Sequence, residues 1–112
     1  MPRQRDIVLI PVPFTDLSSF KRRPVLILSS DASCQSSPDM LVAAITSNLS
    51  TTMPGVVIDT SDMEAGALPR QSLVRADKLY TLSQAKIIKP YGRLNQLRFE
   101  DLLLALDSVL GR

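Results

Sequence analysis

Apolar positions along this chain follow two rhythms. Before Asn95 they come in short runs of strand length separated by Pro, Gly, Ser and Asp; after it they recur every three or four residues. Residues 6–14 (DIVLIPVPF) are rich in Val and Ile but interrupted by Pro11 and Pro13, which predicts an edge or bent strand unable to donate a full ladder of N–H bonds. Residues 24–30 (PVLILSS) and 40–46 (MLVAAIT) predict core strands, with Pro24 suited to a strand's first position. A brief β-branched piece at 56–59 follows Pro54 and Gly55, and residues 62–66 (DMEAG) predict a turn or a single helical turn closed by Gly66. Residues 72–79 (SLVRADKL) alternate, which turns Leu73 or Val74 inward and sets Arg75 and Asp77 on one common face. A last strand is expected at 86–94 (KIIKPYGRL), weakened by Pro90 and Gly92.

Only the C-terminus reads as helix. Asn95 is a good N-cap, Gly111 a good stop, and Phe99, Leu102, Leu103, Leu106, Val109 and Leu110 share one face, with Glu100, Asp101 and Asp107 on the other. A stripe this apolar packs on the sheet or on a partner. Several short strands and one closing helix predict a mainly β fold: a small SH3-like barrel or strongly bent antiparallel sheet. At 112 residues and 45% apolar content, one domain over 1–112 is expected.

Charge changes the picture more by position than by sum. The formal net charge is only +2, yet residues 24–69 hold no Lys or Arg while carrying Asp31, Asp39, Asp59, Asp62 and Glu64. Residues 65–99 instead carry Arg70, Arg75, Lys78, Lys86, Lys89, Arg93 and Arg98 against Asp77 alone. Should the fold bring Lys21, Arg22 and Arg23 beside that basic block, the result is a positive patch suited to phosphate, with the acidic block facing elsewhere. The chain has no histidine and a single cysteine, Cys34, so an internal disulfide is excluded and a transition-metal site of the usual nitrogen and sulfur type is not expected. No apolar run is long enough to span a bilayer and the start carries no cleavable leader, which predicts a cytoplasmic protein with no membrane contact.

Candidate chemistry centres on residues 13–30 (PFTDLSSFKRRPVLILSS), where three adjacent cations in a polar turn precede a core strand. Neighbouring cations repel, so a ligand that compensates them is expected. Arginine's planar fork holds two phosphate oxygens and stays charged at any relevant pH, which makes the segment a candidate phosphate clamp.

The segments DIVLIPVPFTDLSSFKRRPVLILSS, LVAAITSN, SLVRADKLYTL and IIKPYGRL, in that order and spacing, resemble the successive signature blocks of the MazF/PemK family, the toxins of toxin-antitoxin pairs. The resemblance covers roughly residues 5–106. It implies the plasmid maintenance toxin fold, a homodimer, cleavage of single-stranded RNA, and a cognate antitoxin that binds across the active groove. It further implies catalytic roles for Arg23 and for Thr46 in AAIT, and for Arg75 and Asp77 in VRAD, with Asp77 orienting Arg75 or accepting the 2′-hydroxyl proton. Lys21, Arg22, Phe20, Ser47 and Lys78 are the expected RNA contacts.

The residues support that implication chemically. RNA supplies its own nucleophile, the 2′-hydroxyl, so an endoribonuclease without metal or cofactor needs only to orient the backbone and stabilise charge developing on phosphate oxygens. Competing readings remain at this point. Arg75 and Asp77 also suit a structural salt bridge spanning two strands, and Tyr80 and Tyr91 suit partial burial as well as base stacking. A protein-binding poison of the CcdB type, acting on DNA gyrase, shares the fold, but it acts through a Trp-Gly-Ile end, whereas this chain has no tryptophan and ends Leu110, Gly111, Arg112. A non-catalytic SH3-like RNA-binding module is the third reading.

Overall fold

Seven strands pair into one antiparallel sheet in the order β4-β6-β3-β2-β1-β7-β5. They are β1 (Asp6–Pro13), β2 (Phe20–Ile27), β3 (Asp39–Thr46), β4 (Gly55–Ile58), β5 (Met63–Gly66), β6 (Ser72–Ser83) and β7 (Lys89–Leu94), joined by helices α1 (Asp31–Ser36) and α2 (Gln96–Val109). The computed structural model describes residues 2–13, 19–49 and 52–112, so the expected strand residue Phe14 lies outside the described residues.

The sheet curls because all seven strands converge on one cluster. Ile7, Leu26, Ala43, Ile45, Ile58, Val74 and Leu94 are buried there, Met63 of β5 packs against it, and α2 closes it with Phe99 and Leu102. Extents of 33 × 31 × 31 Å exclude a flat slab. The curl stops short of backbone closure, because the terminal strands β4 and β5 do not pair with each other. On the opposite face Val8, Ile10, Val12, Val25, Ile27, Met40 and Val42 form a second cluster with Cys34 of α1. Strands β1, β2 and β3 are therefore buried on both faces, which explains their continuous apolar runs.

Several boundaries differ from the sequence reading, each for an identifiable reason. β1 is an interior strand between β2 and β7, not an edge. Its prolines are tolerated because β7 pairs with it only as far as Leu9, and Pro11 and Pro13 lie beyond, where β2 alone remains. β2 begins at Phe20, so Lys21, Arg22 and Arg23 lie in a strand and not in a turn. Pro24 falls just before Val25, where the pairing of β2 with β3 starts. The helical turn expected at 62–66 is displaced: a 3-10 turn at Thr60–Asp62 is held by reciprocal capping between Asp59 and Asp62, and Met63–Gly66 is strand β5. Gly66 and Gly92, both at positive φ, face each other across the β5–β7 pair, where a Cβ on either would strike the other strand's backbone. The last strand starts only at Lys89, after a second 3-10 turn at Gln84–Lys86.

Helix α1 was not expected. Its start is nonetheless encoded, since Ser30 accepts a hydrogen bond from Ser33 N at 3.1 Å and Asp31 sits in the first turn. Helix α2 is capped by Asn95, which accepts from Arg98 N at 2.9 Å. Its apolar stripe is wider than the face that meets the sheet: Phe99 and Leu102 are buried and Leu106 packs beside them, while Leu103, Val109 and Leu110 are exposed. Replacing Leu102 with Ala should cost about 2–5 kcal/mol of unfolding free energy in urea titration, whereas Ser108→Ala on the exposed face should stay within about 0.5 kcal/mol. Equal effects would mean that α2 does not close the core.

Candidate functional site

Strand β2 runs out of the core toward its N-terminal end. Val25 and Ile27 enter the second cluster, so alternation places Lys21 and Arg23 on that same face and Arg22 on the other. Arg23 stands opposite Ile10 of β1. On the other side β3 pairs Val25 with Ala44, and that register carried on by two residues sets Arg23 opposite Thr46.

The third contribution comes from an irregularity in β6. Ala43 pairs with Leu79 and Ile45 with Val74, so β6 spends five residues where β3 spends two. Such a bulge re-aims side chains. Ala76 stays buried in the core while Arg75 and Lys78 reach the cleft that Arg23 and Thr46 line, with Val12 and Tyr80 as its apolar walls. The cleft measures about 170 Å³. A second hollow of about 280 Å³ lies on the far side of Arg23, which lines both, and takes in Ser47, Arg70 and Tyr91.

Arg23 is exposed and has no side-chain hydrogen bond or ion pair among the described residues. Thr46 Oγ1 accepts from Asn48 N at 3.2 Å, which leaves its hydroxyl proton available to a ligand. Arg75 is held differently, donating through Nε and Nη2 to the two carboxylate oxygens of Asp77 at 2.9 and 2.8 Å. The pair lies within one strand at i, i+2, not across two strands. The hydrogen bonds from Arg75 are the main force holding the Asp77 carboxyl below the usual range, against a partial desolvation that works the other way, and the same bonds raise Arg75. A carboxylate stabilised in this way is a weak proton acceptor and a good orienting group.

Part of the expected patch is present: Arg23 shares the cleft with Arg75 and Lys78, while Lys21 and Arg22 line neither space, and three other arginines are neutralised by acids. Arg5 pairs with Glu64 at 3.0 Å, Arg93 with Glu64 at 3.9 Å, and Arg98 with Asp62 at 3.3 Å and Asp101 at 3.1 Å. None of the acidic block's carboxylates lines either space, and two of them, Asp62 and Glu64, neutralise arginines away from the cleft. Arg23, Arg70 and Lys78 have no ion pair among the described residues.

Of the residues singled out in the sequence, Arg23, Thr46, Arg75 and Lys78 meet in one cleft and Asp77 braces Arg75. Ser47 belongs to the second hollow. Lys21 and Arg22 are exposed but line neither space, and Phe20, 65% exposed, lies in a separate apolar hollow with Pro11, Leu82 and Lys86. Both tyrosines are half-buried, Tyr80 at the first space and Tyr91 at the second. Sequence reasoning missed Arg70. Its signals were its place in the basic block and its position after Pro69. Among the described residues no three His, Cys, Asp or Glu side chains converge as a metal-binding set.

The family model described as "PemK-like, MazF-like toxin of type II toxin-antitoxin system" matches residues 3–110. The chain is 29% identical over 95 residues to the probable endoribonuclease MazF5 of Mycobacterium tuberculosis, covering 85% of this chain and 84% of that protein. Among solved structures, an endoribonuclease in complex with its cognate antitoxin from a Mycobacterial species superposes with a TM-score of 0.81 at 21% identity, covering 99% of this chain and 96% of the other. The Mycobacterium tuberculosis toxin MazF-mt6 gives a TM-score of 0.78 at 23% identity, with coverage of 96% and 97%.

Because the Asp77 carboxyl is depressed, its contribution to stability is complete above the ordinary carboxyl range near pH 4 and is lost as pH falls through its lower folded value. Asp77→Asn should therefore be less stable than the parent by about 1 kcal/mol at pH 6, and the gap should close near pH 2. Melting curves at the two pH values check this, and an unchanged gap at low pH would detach the effect from carboxylate charge.

Proposed function

This chain belongs to the PemK-like, MazF-like toxins of type II toxin-antitoxin systems, and from that premise we propose that it is a metal-independent endoribonuclease that cuts single-stranded RNA, including messenger RNA, by 2′-hydroxyl attack. The observation that carries this reading is Arg23, an exposed guanidinium without a protein partner among the described residues, on the wall of a cleft that also holds Thr46, Arg75 and Lys78. In the reaction the 2′-oxygen bonds to phosphorus and the bond to the 5′-oxygen breaks. A 2′,3′-cyclic phosphate and a 5′-hydroxyl result. The 2′-hydroxyl gives up a proton and the departing oxygen takes one up, so no net proton is consumed.

The chain's own groups divide the work. Arg23 binds the phosphate oxygens that gain charge in the transition state, a contribution that needs no proton transfer. Thr46 donates its hydroxyl proton to the same phosphate, and Lys78 adds positive potential. Arg75 provides a second guanidinium whose fork is fixed by Asp77. The depressed carboxyl of Asp77 favours the orienting role over that of general base. Lys21, Arg22 and Phe20, outside the cleft, are assigned to the flanking strand of RNA.

The partners follow from the same surface. A solved endoribonuclease of this fold was captured with its cognate antitoxin, and a segment of acidic character suits the unpaired cations here, so the proposed partner is a cognate antitoxin that covers the cleft. Exposed Leu97, Leu104 and Leu110 on α2 are in keeping with a homodimer. Among the described residues no helix is long and apolar enough to cross a membrane. Messenger RNA as substrate places the action in the cytoplasm.

Purified protein incubated with a defined long RNA in excess chelator should cut it and leave cyclic phosphate ends. Arg23→Ala and Thr46→Ala should each lower kcat/KM by about a hundredfold or more while leaving the circular dichroism spectrum unchanged. Full activity in Arg23→Ala would sink the assignment, and RNA that is bound yet stays intact would favour the non-catalytic module. Sedimentation should give a dimer; a concentration-independent monomer would refute the assembly.

A further inference from the structure

The hollow beyond Arg23 differs from the cleft in its cations, with Arg70 in place of Arg75 and Lys78. It is the larger of the two and combines apolar surface from Tyr91, Pro24 and Pro69 with the hydroxyl of Ser47 and the guanidinium of Arg70, and the Lys89 ammonium sits over the Tyr91 ring, 5.4 Å from its centroid. A nucleobase uses such a mixture, apolar side chains against its faces and polar groups at its edge.

Two local devices hold this hollow in shape. Ser72, buried to 4% exposure, donates through Oγ to the Arg70 carbonyl oxygen at 3.1 Å and so fixes the turn that presents Arg70. Tyr91 is set by the β5–β7 crossing, where Gly66 and Gly92 let the two backbones approach and Ala67 N donates to the Tyr91 carbonyl oxygen at 3.2 Å. Arg70 itself is exposed and makes no side-chain hydrogen bond or ion pair among the described residues, so its five donors are free for a ligand.

We propose that this second hollow is a base-selecting subsite of the RNA cleft, in which a guanine next to the scissile phosphate packs between the Pro24, Pro69 and Tyr91 side chains and receives a bidentate pair of hydrogen bonds from Arg70. The inference rests on the endoribonuclease reading, since Arg23 on the shared wall fixes the phosphate from which the base is reached. Guanine follows from the donor set. A guanidinium donates twice and accepts nothing, and guanine offers two adjacent acceptors, O6 and N7, whereas the corresponding edge of adenine pairs an acceptor with a donor. Arg70 is thereby a specificity-determining residue, distinct from the groups assigned to the phosphate.

The test uses the full chain and an RNA library randomised around one cut position, read by sequencing the product ends. Parent protein should favour guanine at one position beside the cut. Arg70→Ala should reduce that preference by roughly tenfold to a hundredfold, and Arg70→Gln should move it toward adenine, whose N6 and N7 an amide can pair. Cutting without guanine preference, or a preference that survives Arg70→Ala, would overturn the subsite while leaving the nuclease reading intact. Should the parent leave all RNA uncut, anisotropy of short RNAs that differ by a guanine-to-adenine change separates the two ideas. Arg70-dependent tighter binding of the guanine form would uphold the subsite without the nuclease, and equal binding would end both.

Discussion

The antiparallel pairing of β1 with β2, from Ile7↔Leu26 to Pro13↔Phe20, is the constraint on which the site depends. At one end of this ribbon both strands are buried on both faces, so a slip by one residue would exchange two apolar sets between differently packed clusters and mispack both. At the other end the same register delivers Arg23 to the rim of the second cluster, opposite Ile10. The cation is thus positioned by hydrophobic burial several residues away and not by contacts of its own. A guanidinium without a partner would wander on a loop; on a strand anchored by Val25 and Ile27 its Cα is fixed and only the side chain samples space.

Electrostatics around the cleft follow a division of labour among arginines. Arg5, Arg93 and Arg98 are tied to Glu64, Asp62 and Asp101, and they brace the junction of the N-terminus, β5, β7 and α2. Arg93 also donates to the Gln4 carbonyl oxygen and Arg5 to that of Leu94. Arg75 is intermediate, in the cleft but held by Asp77. Arg23, on the wall shared by the two spaces, and Arg70, in the second, have no ion pair among the described residues. Formal net charge is small, yet Arg23, Arg75 and Lys78 bring three cations to one cleft.

Much of this was legible in the sequence. The apolar runs marked β1 to β3, the alternation of SLVRADKL set Arg75 and Asp77 on one face, and Asn95 with its periodic leucines marked α2. What escaped was decided by tertiary pairing. Pro11 and Pro13 suggested an edge because nothing local reveals how far β7 extends along β1. The cations after Phe20 suggested a turn because a strand of charged residues becomes favourable only when a neighbour supplies the ladder. Glycine at the end of DMEAG suggested a helix stop, whereas Gly66 serves a close crossing with Gly92, some 26 residues later in the chain. Arg70 and Tyr91 share a hollow only because β5 and β7 pair, which no spacing rule encodes.

The surplus residues of β6 between its two stretches of pairing with β3 carry one more implication. Register against β3 is locked on either side, by Leu79 against Ala43 and by Val74 against Ile45, and the other edge is held by β4, with Gly55 opposite Arg75 and Ala76 N donating to the Pro54 carbonyl oxygen. Ala76 faces the core and the Arg75–Asp77 pair contributes to stability, so the exposed Lys78 is the position in this segment whose substitution reshapes the mouth of the cavity with least effect on the scaffold. One exposed side chain can thus change what the cleft grips while the framework around it stays the same.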